Sequence, residues 1–376
     1  LKTREISLRA STLPLGRGFD VQDKQTAEPV WPNLWNDEIA DASSISDTDS
    51  YRGAARSLTL SEASFRTFKQ NKEIIKIIRT VSNTSIQSYW GWIQAANLLR
   101  TTDLSLCIPH FKTGDTIGAP LDLIPIGDWG LMAPETVRYV GQLATLLVIL
   151  DTVFIDLDDV DVLEIGGGYG GFAKVLQDAV EIRSYTIFDL PEALTLTSMY
   201  LSHFPEVYNR TLLLEPRELN DESLLLSEYA LCVSNYALSE MTRDMIRAYA
   251  RVVVSRCRRG FIVATRNHNY QTREIVDGVA NMMALIVEPL KQKHEAENMQ
   301  LFMGYVEDGG WSPFTPDLQV TAHDQRQRHN LIITWNPDLQ PNSCCTSSPN
   351  LDEEDKFMFA GQGIPMPFCL VGCSSL

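Results

Sequence analysis

The chain has 376 residues, of which 44% are hydrophobic and 21% charged, a composition typical of a globular protein with one large domain or two. Its formal net charge of −16 argues against nucleic acid as a partner, because phosphate backbones are bound by Lys and Arg. The longest apolar run near the middle, residues 146–150, is far shorter than the roughly 20 residues that cross a bilayer. With no secretory signal visible either, we expect no membrane partner and a cytoplasmic location.

Seven cysteines occur in the chain. Cys107, Cys232 and Cys257 are far apart in the sequence and are interpreted as small buried apolar residues or free thiols. The other four lie between residue 344 and the end without zinc-ribbon spacing, and a chain of this length needs no disulfide framework. The cysteine pattern thus predicts no metal site and fits a reducing compartment.

The first half of the chain divides into an arm and a helical region. Residues 1–55 are rich in Ser, Asp, Pro and Thr and have few apolar side chains, which predicts a flexible N-terminal arm. Residues 56–150 are expected to form a helical accessory or cap region, with two helices between about 60 and 100 and a third that begins at Pro134. Between them, Gly and Pro punctuate residues 101–133 and predict a long loop, a feature that is usually functional.

Strands and helices alternate in residues 151–336. This alternation predicts an α/β domain with a doubly wound, mostly parallel sheet of seven strands. The irregular composition of residues 337–376 predicts an irregular C-terminal extension. The predicted strands are 162–165, 185–188, 211–214, 230–234, 261–265, 301–306 and 330–335, and the predicted helices are 170–180, 191–203, 242–255 and 271–292.

A glycine-rich turn follows the first of these strands. Glu164 ends the strand, and Gly166, Gly167, Gly168 and Tyr169 follow it. Glycine permits positive φ and lets a ligand approach the backbone closely, so the turn alone fits NAD, another nucleotide or S-adenosylmethionine (SAM). SAM has no phosphate but carries a cationic amino group and a sulfonium, and an acid at the strand end suits those charges.

Polar residues also end the second and fourth strands. Asp189 and Leu190 follow the second strand, where a carboxylate binds the ribose hydroxyls of an adenosyl ligand. The alternative is that Asp189 caps the helix that begins at Pro191. Asn235 and Tyr236 follow the fourth strand and are expected to face the same crevice, the alternative being an ordinary strand-to-helix turn.

Several blocks in order carry a family resemblance: residues 65–68, 114–120, 133–139, the glycine turn, 189–192, 234–240 and 329–335. With these blocks, the stretch from about 60 to 335 resembles the sugar O-methyltransferase family, a branch of the class I SAM-dependent methyltransferases. The chain departs from the family pattern at Ala119 and Ala133, where the family has Asn and Ser. The resemblance implies a Rossmann-like class I fold whose last strand inserts antiparallel, SAM as cofactor, and a hydroxyl of a sugar-like small molecule as acceptor.

Methyl transfer to an oxygen requires in-line alignment and removal of the hydroxyl proton. The candidate bases are His268, just after the fifth predicted strand, and Glu240, after the fourth. Arg138 and Tyr139 are candidates for closing the substrate pocket from the accessory side, although Arg138 could instead pair with an acid. Asp115, in the matched loop, is a further pocket candidate.

Two other functions stay open. One is a methyltransferase that acts on a peptide or natural-product acceptor, including the C-terminal tail of the chain itself. The other is a non-catalytic binding protein with the SAM-binding fold, against which the intact Glu164 and Asp189 argue. The acceptor hydroxyl is left open, as is the assembly state, for which a homodimer is one alternative.

Overall fold

The computed structural model describes residues 45–78, 93, 104–121, 123–151, 159–220, 222–265, 300–307, 310–313 and 330–336. The chain divides into two units, Leu1–Asp41 and Ala42–Leu376, and all of the described residues belong to the second. Four structural predictions fall largely or wholly outside the described residues: the N-terminal arm 1–55, the second accessory helix before residue 100, the helix 271–292, and the C-terminal extension 337–376.

The described part of the chain contains nine α-helices. None of them has the length and apolar character that crossing a membrane requires. They are α1 (Ile45–Thr59), α2 (Glu62–Phe65), α3 (Lys72–Ile78), α4 (Ile108–Thr113), α5 (Pro134–Asp151), α6 (Gly171–Ala179), α7 (Pro191–Leu201), α8 (Pro205–Tyr208) and α9 (Arg243–Val252). Short 3-10 turns lie at Phe68–Gln70, Leu104–Cys107, Gly114–Thr116, Gly127–Trp129, Pro216–Asn220, Glu222–Leu224, Ala237–Glu240 and Val254–Arg256.

The strands form a two-stranded hairpin and one large sheet. The sheet has the order β5-β4-β3-β6-β7-β10-β8-β9, and its first five strands are parallel to one another. The strands are β1 (Ile124–Ile126), β2 (Gly130–Met132), β3 (Asp161–Ile165), β4 (Ser184–Phe188), β5 (Thr211–Leu214), β6 (Tyr229–Asn235), β7 (Cys257–Thr265), β8 (Gln300–Glu307), β9 (Gly310–Pro313) and β10 (Asn330–Asn336).

The doubly wound, mostly parallel sheet predicted from the sequence is confirmed. The last strand, β10, lies between β7 and β8 and is antiparallel to both, as the family resemblance implies. The predicted number of seven strands is wrong, because the short strand β9 pairs with β8 and gives the sheet eight. This hairpin partner lies in a segment for which the sequence analysis placed no strand.

The central strand β3 is covered on both faces, which explains why Val162, Leu163 and Ile165 are all buried. Val162 belongs to one hydrophobic cluster, together with the inner face of α6, whereas the next residue, Leu163, belongs to a second cluster on the other face. This alternation follows from the two-residue period of a strand. Glu164, two residues after Val162, therefore lies on the face that α5 and α6 cover.

The structure corrects the prediction of a long loop at residues 101–133. This segment contains α4, three 3-10 turns and the β1–β2 hairpin. Gly127 and Gly130, which suggested a loop, have φ of +42° and +74° and form the tight connection between the two strands. Glycine allows such positive φ values, so these residues close a hairpin.

Two further predictions change. Helix α1 begins at Ile45 and crosses the boundary that was placed at residue 55, so the end of the predicted arm is helical. Cys232 on β6 and Cys257 on β7 form a disulfide, although they were interpreted as separate thiols or apolar residues. Their spacing along the chain does not reveal this pairing, because it arises only when β6 and β7 become neighbours in the sheet.

Candidate functional site

The site lies where the chain reverses its direction of progress across the sheet. From β3 the chain adds β4 and β5 on one side, and it then returns to add β6 and β7 on the other side. Ligands of open α/β sheets bind at this kind of switch point, beyond the carboxyl ends of the strands. The neighbouring order β4-β3-β6 brings the candidate residues at the ends of these three strands to one edge.

The glycine turn packs closely against a neighbouring turn at Gly166 and has free space beside it at Gly168. Gly166, Gly168 and Gly170 have φ of +80°, +61° and +86°, values that favour glycine. A Cβ atom built on Gly166 would lie 2.0 Å from the Cβ of Ala237, in the turn after β6. A Cβ on Gly168 would meet no heavy atom within 4 Å. Gly168 is therefore the position of the turn where a ligand can approach the backbone.

We expect Gly166→Ala to destabilise the protein strongly. The added methyl would overlap Ala237, and alanine would also have to adopt the left-handed backbone conformation. Together these effects should lower the free energy of unfolding by about 3 kcal/mol. Urea denaturation followed by circular dichroism measures this change, and an unchanged midpoint would contradict the close contact between the two turns.

Asp189 holds the glycine turn in place. Its Oδ2 accepts a hydrogen bond from the backbone N–H of Gly168 at 2.7 Å, and its Oδ1 accepts one from the backbone N–H of Leu190 at 2.7 Å. No side chain caps α7 at its N-cap residue Leu190, so the helix-cap alternative does not describe this carboxylate. Burial raises the pKa of Asp189 to about 6, although the hydrogen bonds from these two N–H donors lower it. Each carboxylate oxygen retains a lone pair for a further donor.

Glu164 is a second buried carboxyl group at this edge. Its side chain is 1% exposed, and its Oε2 accepts a hydrogen bond from the Tyr185 hydroxyl at 2.9 Å. Burial raises the pKa of Glu164 to about 8, opposed by the Tyr185 hydrogen bond, and the negative charge of Asp189 raises it further. The group is therefore mostly neutral at pH 7 and would ionise if a cation came close.

Asn235 ends β6 and Tyr236 follows it, at the edge of the sheet where Glu164 and Asp189 also lie. Asn235 helps to lower the pKa of Glu164, but its side-chain nitrogen and oxygen are buried and reach no partner in hydrogen-bond geometry. Tyr236 has a φ of +74°, which is uncommon for a residue other than glycine and typical of functional turns. The Arg138 guanidinium lies 5.9 Å from the Tyr236 ring and 4.9 Å from the Tyr139 ring. Helix α5 thus reaches the β6 edge through Arg138.

Three predicted residues make contacts other than those expected of ligand-binding side chains. Gly167 is buried, and a Cβ there would lie 2.6 Å from Ile187. The Tyr169 ring is buried and packs against other aromatic rings, with its centroid 4.8 Å from that of Tyr200. Asp115 accepts hydrogen bonds from the Ala133 backbone N–H and the Thr136 hydroxyl, and it therefore connects the 3-10 turn Gly114–Thr116 to the start of α5.

Tyr51 on α1, which was not predicted from the sequence, lies in the part of the molecule that contains Asp189. Tyr51 is 7% exposed, and its hydroxyl is buried without a hydrogen-bond partner. Burial raises the pKa of Tyr51 well above its usual value, and the neighbouring Asp189 and Tyr139 raise it further. The signal was present in the sequence, because Tyr51, Ala54, Ala55 and Leu58 have the i, i+3, i+4, i+7 spacing of a buried helical face.

Of the two candidate bases, the structure describes only Glu240. Glu240 ends the 3-10 turn Ala237–Glu240 after β6, and its side chain is exposed. His268 lies outside the described residues. Within the described part of the chain, no group of three or more His, Cys, Asp or Glu side chains could hold a metal ion.

Comparison with known proteins gives matches only to solved structures. No protein-family model matches the chain. No curated protein sequence matches it either. The magnesium protoporphyrin IX methyltransferase from Synechocystis PCC 6803, solved with bound SAH, is 11% identical and matches 53% of this chain and 84% of its own, with a TM-score of 0.35.

Two further methyltransferase structures match a similar share of the chain. The precorrin-6y C5,15-methyltransferase from Geobacter metallireducens GS-15 is 16% identical over 50% of this chain and 86% of its own, with a TM-score of 0.30. The methyltransferase domain of bacterial CtHen1-CN is 14% identical over 53% of this chain and 99% of its own, with a TM-score of 0.36. Similarity at this level is too low to transfer an activity to this chain.

Proposed function

We propose that this protein is a class I SAM-dependent methyltransferase that transfers a methyl group to a hydroxyl of a sugar-like small molecule. The observation that carries the proposal is the pair of carboxyl groups beside the glycine turn, the buried Glu164 and the half-buried Asp189, next to the open position at Gly168. The strand order supports it too, because the last strand inserts antiparallel as class I topology implies.

The residues present fit SAM. Asp189 has lone pairs left to accept hydrogen bonds from both ribose hydroxyls. Glu164 would ionise beside the cationic amino group of the cofactor, and this charge would offset the cost of burying a carboxylate. The amide of Asn235, whose polar atoms are buried without a partner in hydrogen-bond geometry among the described residues, would gain one from a polar cofactor.

A dinucleotide such as NAD fits less well. Its pyrophosphate would bind over the same turn, where a helix N-terminus attracts negative charge. Glu164 lies under that turn, with Oε2 3.4 Å from the position of a Cβ on Gly167. A phosphate there would be repelled by any ionised fraction of Glu164, whereas a cationic ligand would be attracted.

SAM, when bound, supplies an electrophilic methyl group on a cationic sulfur. The protein then has to align the acceptor oxygen with that methyl group and take up the hydroxyl proton. Arg138 and Tyr139 on α5, with Tyr236 at the end of β6, are the side chains that we propose to line the acceptor side. We propose His268 as the base, with Glu240 as the second candidate.

Transfer of a labelled methyl group tests the proposed function. The full chain would be incubated with methyl-tritiated SAM and, separately, with free sugars, nucleotide sugars and glycosylated small molecules. We expect label in a sugar-containing acceptor and no label without acceptor. Label on the chain's own C-terminal tail would favour the peptide acceptor, and SAM binding without transfer to any acceptor would favour a non-catalytic binding protein.

A further inference from the structure

Helix α1 is fixed over the start of α7 by two arginines. Arg52 Nε lies 3.4 Å from Glu192 Oε2, and Arg56 Nη2 lies 2.6 Å from Glu192 Oε1. Glu192 is three residues beyond Asp189 in the chain. These ion pairs therefore place α1 beside the carboxyl end of β4, and Tyr51 is the neighbour of Arg52 in that helix.

The Tyr51 hydroxyl is an unusual group to leave buried. It has no hydrogen-bond partner among the residues that the structure describes, and a buried hydroxyl without a partner is destabilising. The charge of Asp189 acts on this hydroxyl, and the ion pairs of Arg52 and Arg56 with Glu192 place α1 close to Asp189, where a ribose would bind. Such an orphaned group is explained if a ligand supplies the missing partner.

We propose that Tyr51 is a cofactor ligand, whose hydroxyl donates a hydrogen bond to a ribose oxygen of the adenosyl cofactor bound at Asp189. This inference rests on the proposed function. The hydrogen bonds can all be accounted for in this arrangement. Asp189 accepts from the two ribose hydroxyl groups with the lone pairs that Gly168 and Leu190 leave free. Each ribose oxygen can still accept a hydrogen bond, and Tyr51 supplies a donor for one of them.

The melting temperature of Tyr51→Phe shows whether the Tyr51 hydroxyl binds the cofactor or stabilises the fold. If Tyr51 binds the ribose, Tyr51→Phe removes a hydroxyl that is unsatisfied in the free protein, so thermal stability should stay the same or rise. Tyr229 is the matched control, since its equally buried hydroxyl accepts a hydrogen bond from the Leu226 backbone N–H at 3.3 Å. Tyr229→Phe should lower the melting temperature and leave cofactor affinity unchanged.

Calorimetric titration of the full chain with S-adenosylhomocysteine (SAH) and with its 2′-deoxy and 3′-deoxy analogues tests the inference. Tyr51→Phe should weaken SAH binding by about fivefold to thirtyfold, the range for loss of one hydrogen bond to a ligand. For one of the two deoxy analogues the same substitution should have almost no effect, because the oxygen that Tyr51 contacts is missing.

Other results would overturn the inference. Equal SAH affinity of the wild type and Tyr51→Phe would show that Tyr51 does not contact the cofactor. A lower melting temperature in Tyr51→Phe, with the same loss of affinity for SAH and both analogues, would assign Tyr51 a structural role. If the wild type itself did not bind SAH, the proposed function would fail, and this inference with it.

Discussion

Replacing Glu164 by glutamine is expected to weaken SAH binding about tenfold or more at pH 7.5 and to remove most of its pH dependence above pH 6.5. Burial raises the pKa of Glu164 to about 8, so the free protein has a mostly neutral group in this pH range. A bound amino cation favours the ionised form, and a charge-assisted hydrogen bond contributes about 1.5–3 kcal/mol. Glutamine cannot supply that charge.

The pH dependence of SAH affinity follows from the loss of the Glu164 proton on binding. Between pH 6.5 and 7.5, the ionised fraction of Glu164 in the free protein rises close to tenfold, so SAH affinity should rise by about that factor. The window lies above the pKa of Asp189, which burial raises to about 6, and an α-amino group of pKa about 7.7–8.0 stays mostly charged in it. Calorimetry at several pH values measures this slope.

The stability of the free protein should show the opposite trend. A folded-state pKa raised from 4.5 to about 8 means that the folded chain binds this proton more tightly than the unfolded chain does. The contribution of this proton to the free energy of unfolding is therefore fully present below about pH 4.5 and is lost as pH rises through 8. Glu164→Gln should abolish this component of the pH dependence, and thermal melts at pH 6 and 8.5 measure it.

Asp161→Asn is the matched control for these measurements. Asp161 begins the same strand, β3, but lies at its amino end and pairs with Arg183 and Ser184. Its substitution should leave SAH affinity and its pH slope unchanged. A similar loss of affinity in both variants would mean that Glu164 acts through the strand and not through its charge.

Replacing Gly168 by alanine is expected to weaken SAH binding by tenfold to a hundredfold while the fold is retained. A Cβ at this position meets no protein atom within 4 Å, so the new methyl group would occupy the space in which the cofactor approaches the backbone. The φ of +61° adds a backbone strain of about 1–2 kcal/mol to the folded state. Calorimetric titration gives the affinity, and circular dichroism confirms that the variant folds.

Gly127→Ala is the control that separates the two effects of Gly168→Ala, the backbone strain and the obstruction of the cofactor. Gly127 also has a positive φ, of +42°, but it lies in the connection between β1 and β2 and is exposed. Alanine there should destabilise the fold to a similar extent without reducing the affinity for SAH. If Gly168→Ala bound SAH as tightly as the wild type, the cofactor would not lie over the turn.

The sheet could be predicted from the sequence because its signals are local. The predicted strand 211–214 coincides with β5, and the predictions for β3 and β4 differ from the structure by one residue at the start. The glycine turn and its two acids were also recognisable, because a buried strand ending in an acid and followed by glycines has a local sequence pattern.

The accessory side of the site was predicted less well. The polar composition of residues 1–55 obscured the apolar face of α1, and Tyr51 was missed with it. The hydrogen bonds of Asp115 to Ala133 and Thr136 could not be predicted either, because they depend on α5, which begins 19 residues later in the chain. Contacts of this kind depend on tertiary packing, which residue spacing alone does not specify.

The most direct test of the central claim is a calorimetric titration of the full chain with SAH at pH 7.5, with NAD titrated in parallel. We expect one SAH molecule to bind per chain, weakly or not at all in Glu164→Gln, and NAD not to compete for the site. Binding of NAD without binding of SAH would contradict the assignment of this glycine turn to SAM.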